Sequence, residues 1–160
     1  MDPADHDAFM REAAQMANEN VLAGRGGPFG CVVVRRGKVV ARGANQVTST
    51  NDPTAHGEVN AIRAACRALG TFTLEECVIY SSCEPCPMCL AAIYWARLDG
   101  LYFGGSQQDA AKAGFDDAFL YEELKRPIGE RKTGFPDVAC GILSLFPQCS
   151  GGLARNGSGM

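Results

Sequence analysis

The sequence predicts an α/β domain with a mixed sheet, and three observations carry that prediction. Apolar residues recur at helical and at strand spacing in alternating segments, as layered α/β domains require. A hairpin pattern precedes that alternation. A chain of 160 residues, 46% of them hydrophobic, has the size and composition of one domain around one packed core.

Taken in order, residues 5–22 put Phe9, Ala13, Met16, Ala17 and Val21 near a helical period, with Gly24 past the end, and predict an amphipathic helix. Gly24, Gly26, Gly27 and Pro28 form a loop. Residues 29–34 and 39–44 read as two strands joined by a tight turn at Gly37. The polar stretch 45–53 reads as loop. A second helix spans 55–69, with Val59, Ile62, Ala65, Cys66 and Leu69 as its apolar stripe and Gly70 as its stop. Residues 77–82 form a short apolar strand in the middle of the sheet. Pro85 opens a third helix that runs to about Arg97, because the first helical turn leaves its N–H groups unpaired and tolerates proline. Residues 101–104 read as a fourth strand, and 116–124 as a short helix capped by an Asp. Beyond 126 Gly and Pro are frequent. The apolar stretch 138–146 reads as a last strand, and 150–160 as a disordered tail. The expected organisation is a single domain over 1–149 followed by that tail.

The formal net charge of -3 argues against a nucleic-acid partner, which requires clustered Lys and Arg. Arg35, Arg36 and Lys38 are the densest basic group, and they read as a solvated hairpin tip. No apolar run approaches the ~18 residues needed to span a bilayer, so no membrane partner is expected. The first residues carry Asp2, Asp5, His6 and Asp7 where a signal peptide carries basic residues, and the expected compartment is the cytoplasm. In that reducing compartment the eight cysteines are metal ligands, catalytic groups or buried small residues rather than disulfides. Cys31, Cys66 and Cys77 lie in apolar segments and read as core. Cys83, Cys86 and Cys89 crowd together.

The strongest signal is a pair of short motifs at two predicted helix starts: His56-Gly57-Glu58, and Pro85-Cys86-Pro87-Met88-Cys89. Cys86 and Cys89 are three apart and face the same way on one turn. The positive end of a helix favours thiolates, the form that binds metal. One imidazole and two thiolates suit tetrahedral Zn²⁺ and leave a fourth position open, the mark of a catalytic zinc. Glu58 stands two residues from His56, placed to move protons beside the metal without ligating it. Each motif alone is weak. A Glu in a first helical turn is favoured by the dipole, and Cys-x-x-Cys also serves structural zinc, with Cys83 available as a fourth ligand, or redox chemistry. Together, about thirty residues apart, they form the zinc-deaminase signature.

On these motifs the sequence resembles the cytidine/deoxycytidylate deaminase superfamily, and within it most of all the bacterial-type guanine deaminases. The resemblance runs from Gly26 to about Pro127. It is carried by Gly27-Pro28-Phe29-Gly30, Asn45, the stretch from Asp52 to Arg63, the stretch from Ser82 to Cys89, Tyr94-Trp95-Ala96-Arg97 and Gly114-Phe115-Asp116-Asp117. It implies a three-layer α/β/α fold with a five-stranded mixed sheet, a homodimer, and conversion of guanine to xanthine and ammonia. It implies His56, Cys86 and Cys89 as zinc ligands, with Cys83 nearby but not ligating, and Glu58 as proton shuttle. Asn45 is expected to bond the purine, Phe29 and Trp95 to wall a flat pocket, and Asp117 to meet the departing amino group. Without the resemblance, Asn45 reads as a turn former, Phe29 and Trp95 as core aromatics, and Asp117 as a helix cap.

Two features depart from the family. Gly57 stands where Ala is usual, a change expected to have little effect. Residues 134–160 do not match the segment that in guanine deaminases exchanges between subunits and closes the pocket. The remaining readings are deamination of guanosine, cytosine, a triazine or transfer-RNA adenosine, and a non-catalytic zinc-stabilised module. The acidic charge disfavours the transfer-RNA reading, and Glu58 disfavours the module.

Overall fold

The computed structural model describes residues 3–115 and 117–132. They fall into two compact units, one ending at Glu122 and the other beginning at Glu123. The domain expected over 1–149 and its tail extend outside the described residues.

In the first unit α1 (Pro3–Leu22) leads into the hairpin of β1 (Gly30–Arg35) and β2 (Lys38–Ala44). The turn residues Arg36 and Gly37 both take positive φ, 50° and 75°, as a two-residue hairpin turn with the twist of its strands requires. The basic tip is ion-paired rather than merely solvated: Arg35 and Arg36 both reach Glu76, at 2.6 and 2.8 Å. After a short helix α2 (Val47–Thr50), α3 (Gly57–Leu69) leads to β3 (Cys77–Cys83), α4 (Pro87–Trp95) and β4 (Gly100–Gly105). A further helix α5 (Gln107–Lys112) precedes α6 (Ala118–Lys125), which runs past the end of the first unit.

The sheet order is β2-β1-β3-β4, with β1 antiparallel to both neighbours and β3 parallel to β4. The sheet is mixed, as expected, but has four strands among the described residues rather than five. The stretch 138–146, expected as the last strand, lies outside them. Alternation along β1 and β3 builds the three layers. Val32, Val34 and Tyr80 pack with Ala13 under α1. Cys31, Val33 and Ile79 face the opposite way, against Ala61 and Ala65 of α3 and Ile93 of α4. Cys31 and Cys77 are fully buried in this second core, and Cys66 packs against it, as their apolar settings predict.

Small residues bring α3 close to the sheet. Its buried face runs Gly57, Glu58, Ala61, Ala65. A Cβ at Gly43 of β2 would lie 2.3 Å from both the Gly57 carbonyl oxygen and the Ala61 nitrogen, all of it backbone. Gly43→Ala therefore has to push α3, and with it His56 and Glu58, off the sheet. Overpacking of this kind costs about 1–3 kcal/mol or more, so the thermal midpoint should fall by about 5–10 °C. A midpoint by circular dichroism within about 2 °C of wild type would mean that α3 yields freely at this contact.

The third helix is shorter than 85–97. It starts at Pro87 with Cys86 as N-cap, and Arg97 at φ 58° turns the chain out of helical conformation. Among the described residues no helix is long and apolar enough to cross a membrane.

Candidate active site

His56 and Cys86 hold the N-cap positions of α3 and α4, and neither side chain caps its own helix. Both are turned instead toward a common point, where Cys89, one turn into α4, joins them. The His56 Nδ1 lies 3.5 Å from Cys89 Sγ and 3.7 Å from Cys86 Sγ, and the three donor atoms all lie within 4.8 Å of one another. When Zn–N and Zn–S bonds of their usual lengths meet at the tetrahedral angle, nitrogen and sulfur stand roughly 3.6 Å apart. The donor set and its spacing thus fit zinc, with Nδ1 as the imidazole ligand atom. The Cys86 thiol is held down at about 4, first by the hydrogen bond from the Cys89 thiol, then by His56. Cys89, as that donor and fully buried, is pushed up. The bond to Cys86 raises His56 against its partial burial.

Cys83 is not part of this group. Its thiol contacts the Ser106 carbonyl oxygen at 3.7 Å, and the three-donor cluster forms without it.

Glu58 sits in the first turn of α3, 5% exposed, and lines a cavity of about 520 Å³ together with His56 and Cys86. That volume is within the range of small-molecule sites. Ser81 of β3, itself 1% exposed, donates its hydroxyl to Glu58 Oε1 at 3.0 Å, and the Cys31 thiol lies 3.4 Å behind Ser81 Oγ. Burial pushes the Glu58 carboxyl upward, opposed by its own backbone N–H, by Cys89 and by Ser81. The carboxyl thereby holds a proton more readily than an exposed one does. The unusual Gly57 has a local explanation: a Cβ there would lie 3.3 Å from Cys31 Sγ and 3.2 Å from the Phe29 carbonyl oxygen, so glycine leaves room for that thiol.

Phe29, Asn45 and Asp117 all line the same cavity. Asn45 is buried, and its Oδ1 accepts hydrogen bonds from the Gly27 and Val47 amides at 3.1 and 3.2 Å. Those two donors fix the orientation of the amide, with its oxygen turned to the Gly27 and Val47 N–H groups. Asp117 Oδ1 accepts from Gln107 Nε2 at 3.3 Å. Trp95 stands apart from these three. It is the last residue of α4, 78% exposed and absent from the cavity lining. Eight helical steps put it about 12 Å along the axis from the helix end that bears the cluster. Phe115 also lines the cavity, with its ring edge-on to Phe29 at a centroid distance of 5.0 Å. The sequence marks Phe115 only as part of the Gly114-Phe115-Asp116-Asp117 segment and gives it no role of its own. Nor does it single out Ser81, or Gln107, which α5 carries to the cavity. The signal for α5 was present in Ser106-x-x-Asp109, which forms a reciprocal capping box.

The fold and this site define a zinc-site deaminase. Residues 3–105 match the cytidine and deoxycytidylate deaminase zinc-binding region, and the chain belongs to that family. The chain is similar to the guanine deaminase of Bacillus subtilis, 52% identical over 134 residues that make up 84% of this chain and 86% of the relative. The crystal structure of a Bacillus subtilis guanine deaminase superposes with a TM-score of 0.88 at 49% identity, covering 96% of this chain and 98% of the other. A tRNA-specific adenosine deaminase of the same organism is 33% identical over 88% of this chain and 87% of its own length.

Proposed function

We propose that this chain is a zinc-dependent aminohydrolase that converts guanine and water to xanthine and ammonia. The observation that carries the reading is a buried, non-ligating carboxylate, Glu58, beside a His-Cys-Cys donor cluster at a cavity of nucleobase size. The similarity to guanine deaminases selects guanine within the class.

His56, Cys86 and Cys89 would hold the zinc, which when bound supplies the Lewis acidity that makes a water nucleophilic near neutral pH. Glu58 is placed to take a proton from an attacking water and would deliver it to the ring nitrogen next to C2 as oxygen adds to the carbon. The second proton leaves with the amino group, guided by Glu58 and by Asp117 on the cavity wall. Asn45 presents its NH₂ group to an acceptor on the purine edge. Phe29 and Phe115 offer the apolar surface against which a planar ring packs. A homodimer fits the exposed pair Tyr94 and Trp95 at the end of α4. A cytoplasmic setting fits the free cysteines among the described residues.

The test is ammonia release from guanine, guanosine, cytosine, adenine and a triazine, with zinc content measured in parallel. Guanine is expected to react fastest and to yield xanthine. Preferred turnover of guanosine would replace the substrate assignment. Silence toward the whole panel with about one zinc per chain would leave a zinc-stabilised module.

A further inference from the structure

Asn20 lies near the end of α1, far in sequence from the motifs, and is 1% exposed. Its Nδ2 donates two hydrogen bonds, to the Asn45 carbonyl oxygen at 2.8 Å and to the Gly27 carbonyl oxygen at 2.9 Å. The Gly27 amide in turn donates to Asn45 Oδ1 at 3.1 Å. Three residues from α1, the loop and the end of β2 are thus closed into one ring of hydrogen bonds. The loop presses on Asn45 as well, since a Cβ at Gly26 would come within 2.2 Å of the Asn45 carbonyl oxygen. The Asn20 Oδ1 meanwhile is buried with no hydrogen-bond partner among the described residues. An aliphatic side chain of that size would fill the space without stranding an acceptor. What it would lack is the pair of donors that tie Gly27 to Asn45.

We infer that Asn20 is a positioning residue for substrate recognition: it holds Asn45 so that the Asn45 NH₂ group meets an acceptor on the purine edge. The inference rests on the reading of Asn45 as a base-binding residue. Asn20 is more than 20 residues from any zinc-cluster residue in sequence and touches none of them in these hydrogen bonds. Its loss should therefore act on binding and spare the proton chemistry.

The experiment is a double-mutant cycle on the full chain, read as KM and kcat for guanine, with thermal midpoint and zinc content as controls. Asn20→Ala should raise KM about tenfold and change kcat less than about threefold. Asn20→Leu keeps the branched outline and removes the stranded oxygen, and with its thermal midpoint as control it should raise KM alike. Asn45→Ala should raise KM at least as much. In the Asn45→Ala background, Asn20→Ala should change KM less than about twofold, because the group it positions is gone. An Asn20 effect of equal size in both backgrounds, or a KM for both Asn20 variants within about twofold of wild type, would overturn the inference while leaving guanine deamination standing. A wild-type chain that does not act on guanine would overturn both.

Discussion

Glu58→Gln is expected to bind zinc at wild-type stoichiometry and to release ammonia from guanine about 10³-fold more slowly. Gln matches Glu in size, and its oxygen can still accept the Ser81 hydroxyl that now bonds Glu58 Oε1 at 3.0 Å. The side chain is 5% exposed, so exchanging a buried ionisable group for a neutral amide does not cost stability. The thermal midpoint should hold or rise. What the amide cannot do is take a proton from water and return it to the ring, and general acid–base contributions of this kind run from about 10² to 10⁴ in rate. The loss should fall on kcat, with KM little changed, since the group acts on the reacting atoms in the transition state. The measurement is steady-state kinetics with metal analysis of the same preparation. Turnover within about tenfold of wild type would remove Glu58 from the proton path and leave Asp117 as the carboxylate to test next.

The parts of this molecule most legible in the sequence are those set by local rules. The His56 and Cys86 motifs fall at helix starts because His-Gly-Glu and Cys-Pro-x-Cys combine a chain break with a helical run, and both residues do take N-cap positions. The hairpin and the central strand follow from short apolar runs bounded by turn residues, which pairing merely had to satisfy. Contacts made at a distance were less legible. Asn20 is one polar residue on a predicted amphipathic helix, and nothing in its neighbourhood announces a bond to Asn45, 25 positions away. The resemblance of its segment implies Trp95 as a pocket wall, while the length of α4 sets it at the exposed end of that helix. Arg97 ends that helix by adopting positive φ, a conformation for which arginine gives no advance signal.

Removing a single thiol distinguishes an open three-donor zinc site from a closed four-donor one, because the sequence offers three cysteines in seven positions, Cys83, Cys86 and Cys89. Cys86→Ala and Cys89→Ala are each expected to purify with less than about one-tenth of the wild-type zinc, since two donors bind the ion far more weakly than three. Both should also lose stability. A ligand present at about 1,000 times its dissociation constant stabilises the folded chain by about 4 kcal/mol, and structural coupling of this size corresponds to about 8–16 °C in a domain of this length. Cys89→Ala should suffer more than Cys86→Ala, because Cys89 is fully buried and its loss also leaves a hole. Cys83→Ala is expected to retain its zinc and its thermal midpoint to within about 2 °C, as its thiol is directed to the Ser106 carbonyl oxygen and stands outside the donor cluster. Treating wild type with a chelator should reproduce the stability loss of the Cys86 and Cys89 variants and add little to either of them, because the metal they would lose is already gone. If Cys83→Ala instead came out of purification as empty of zinc as the other two, the fourth coordination position would belong to a sulfur. No room for water would then remain beside Glu58, and the site would have to be read as structural.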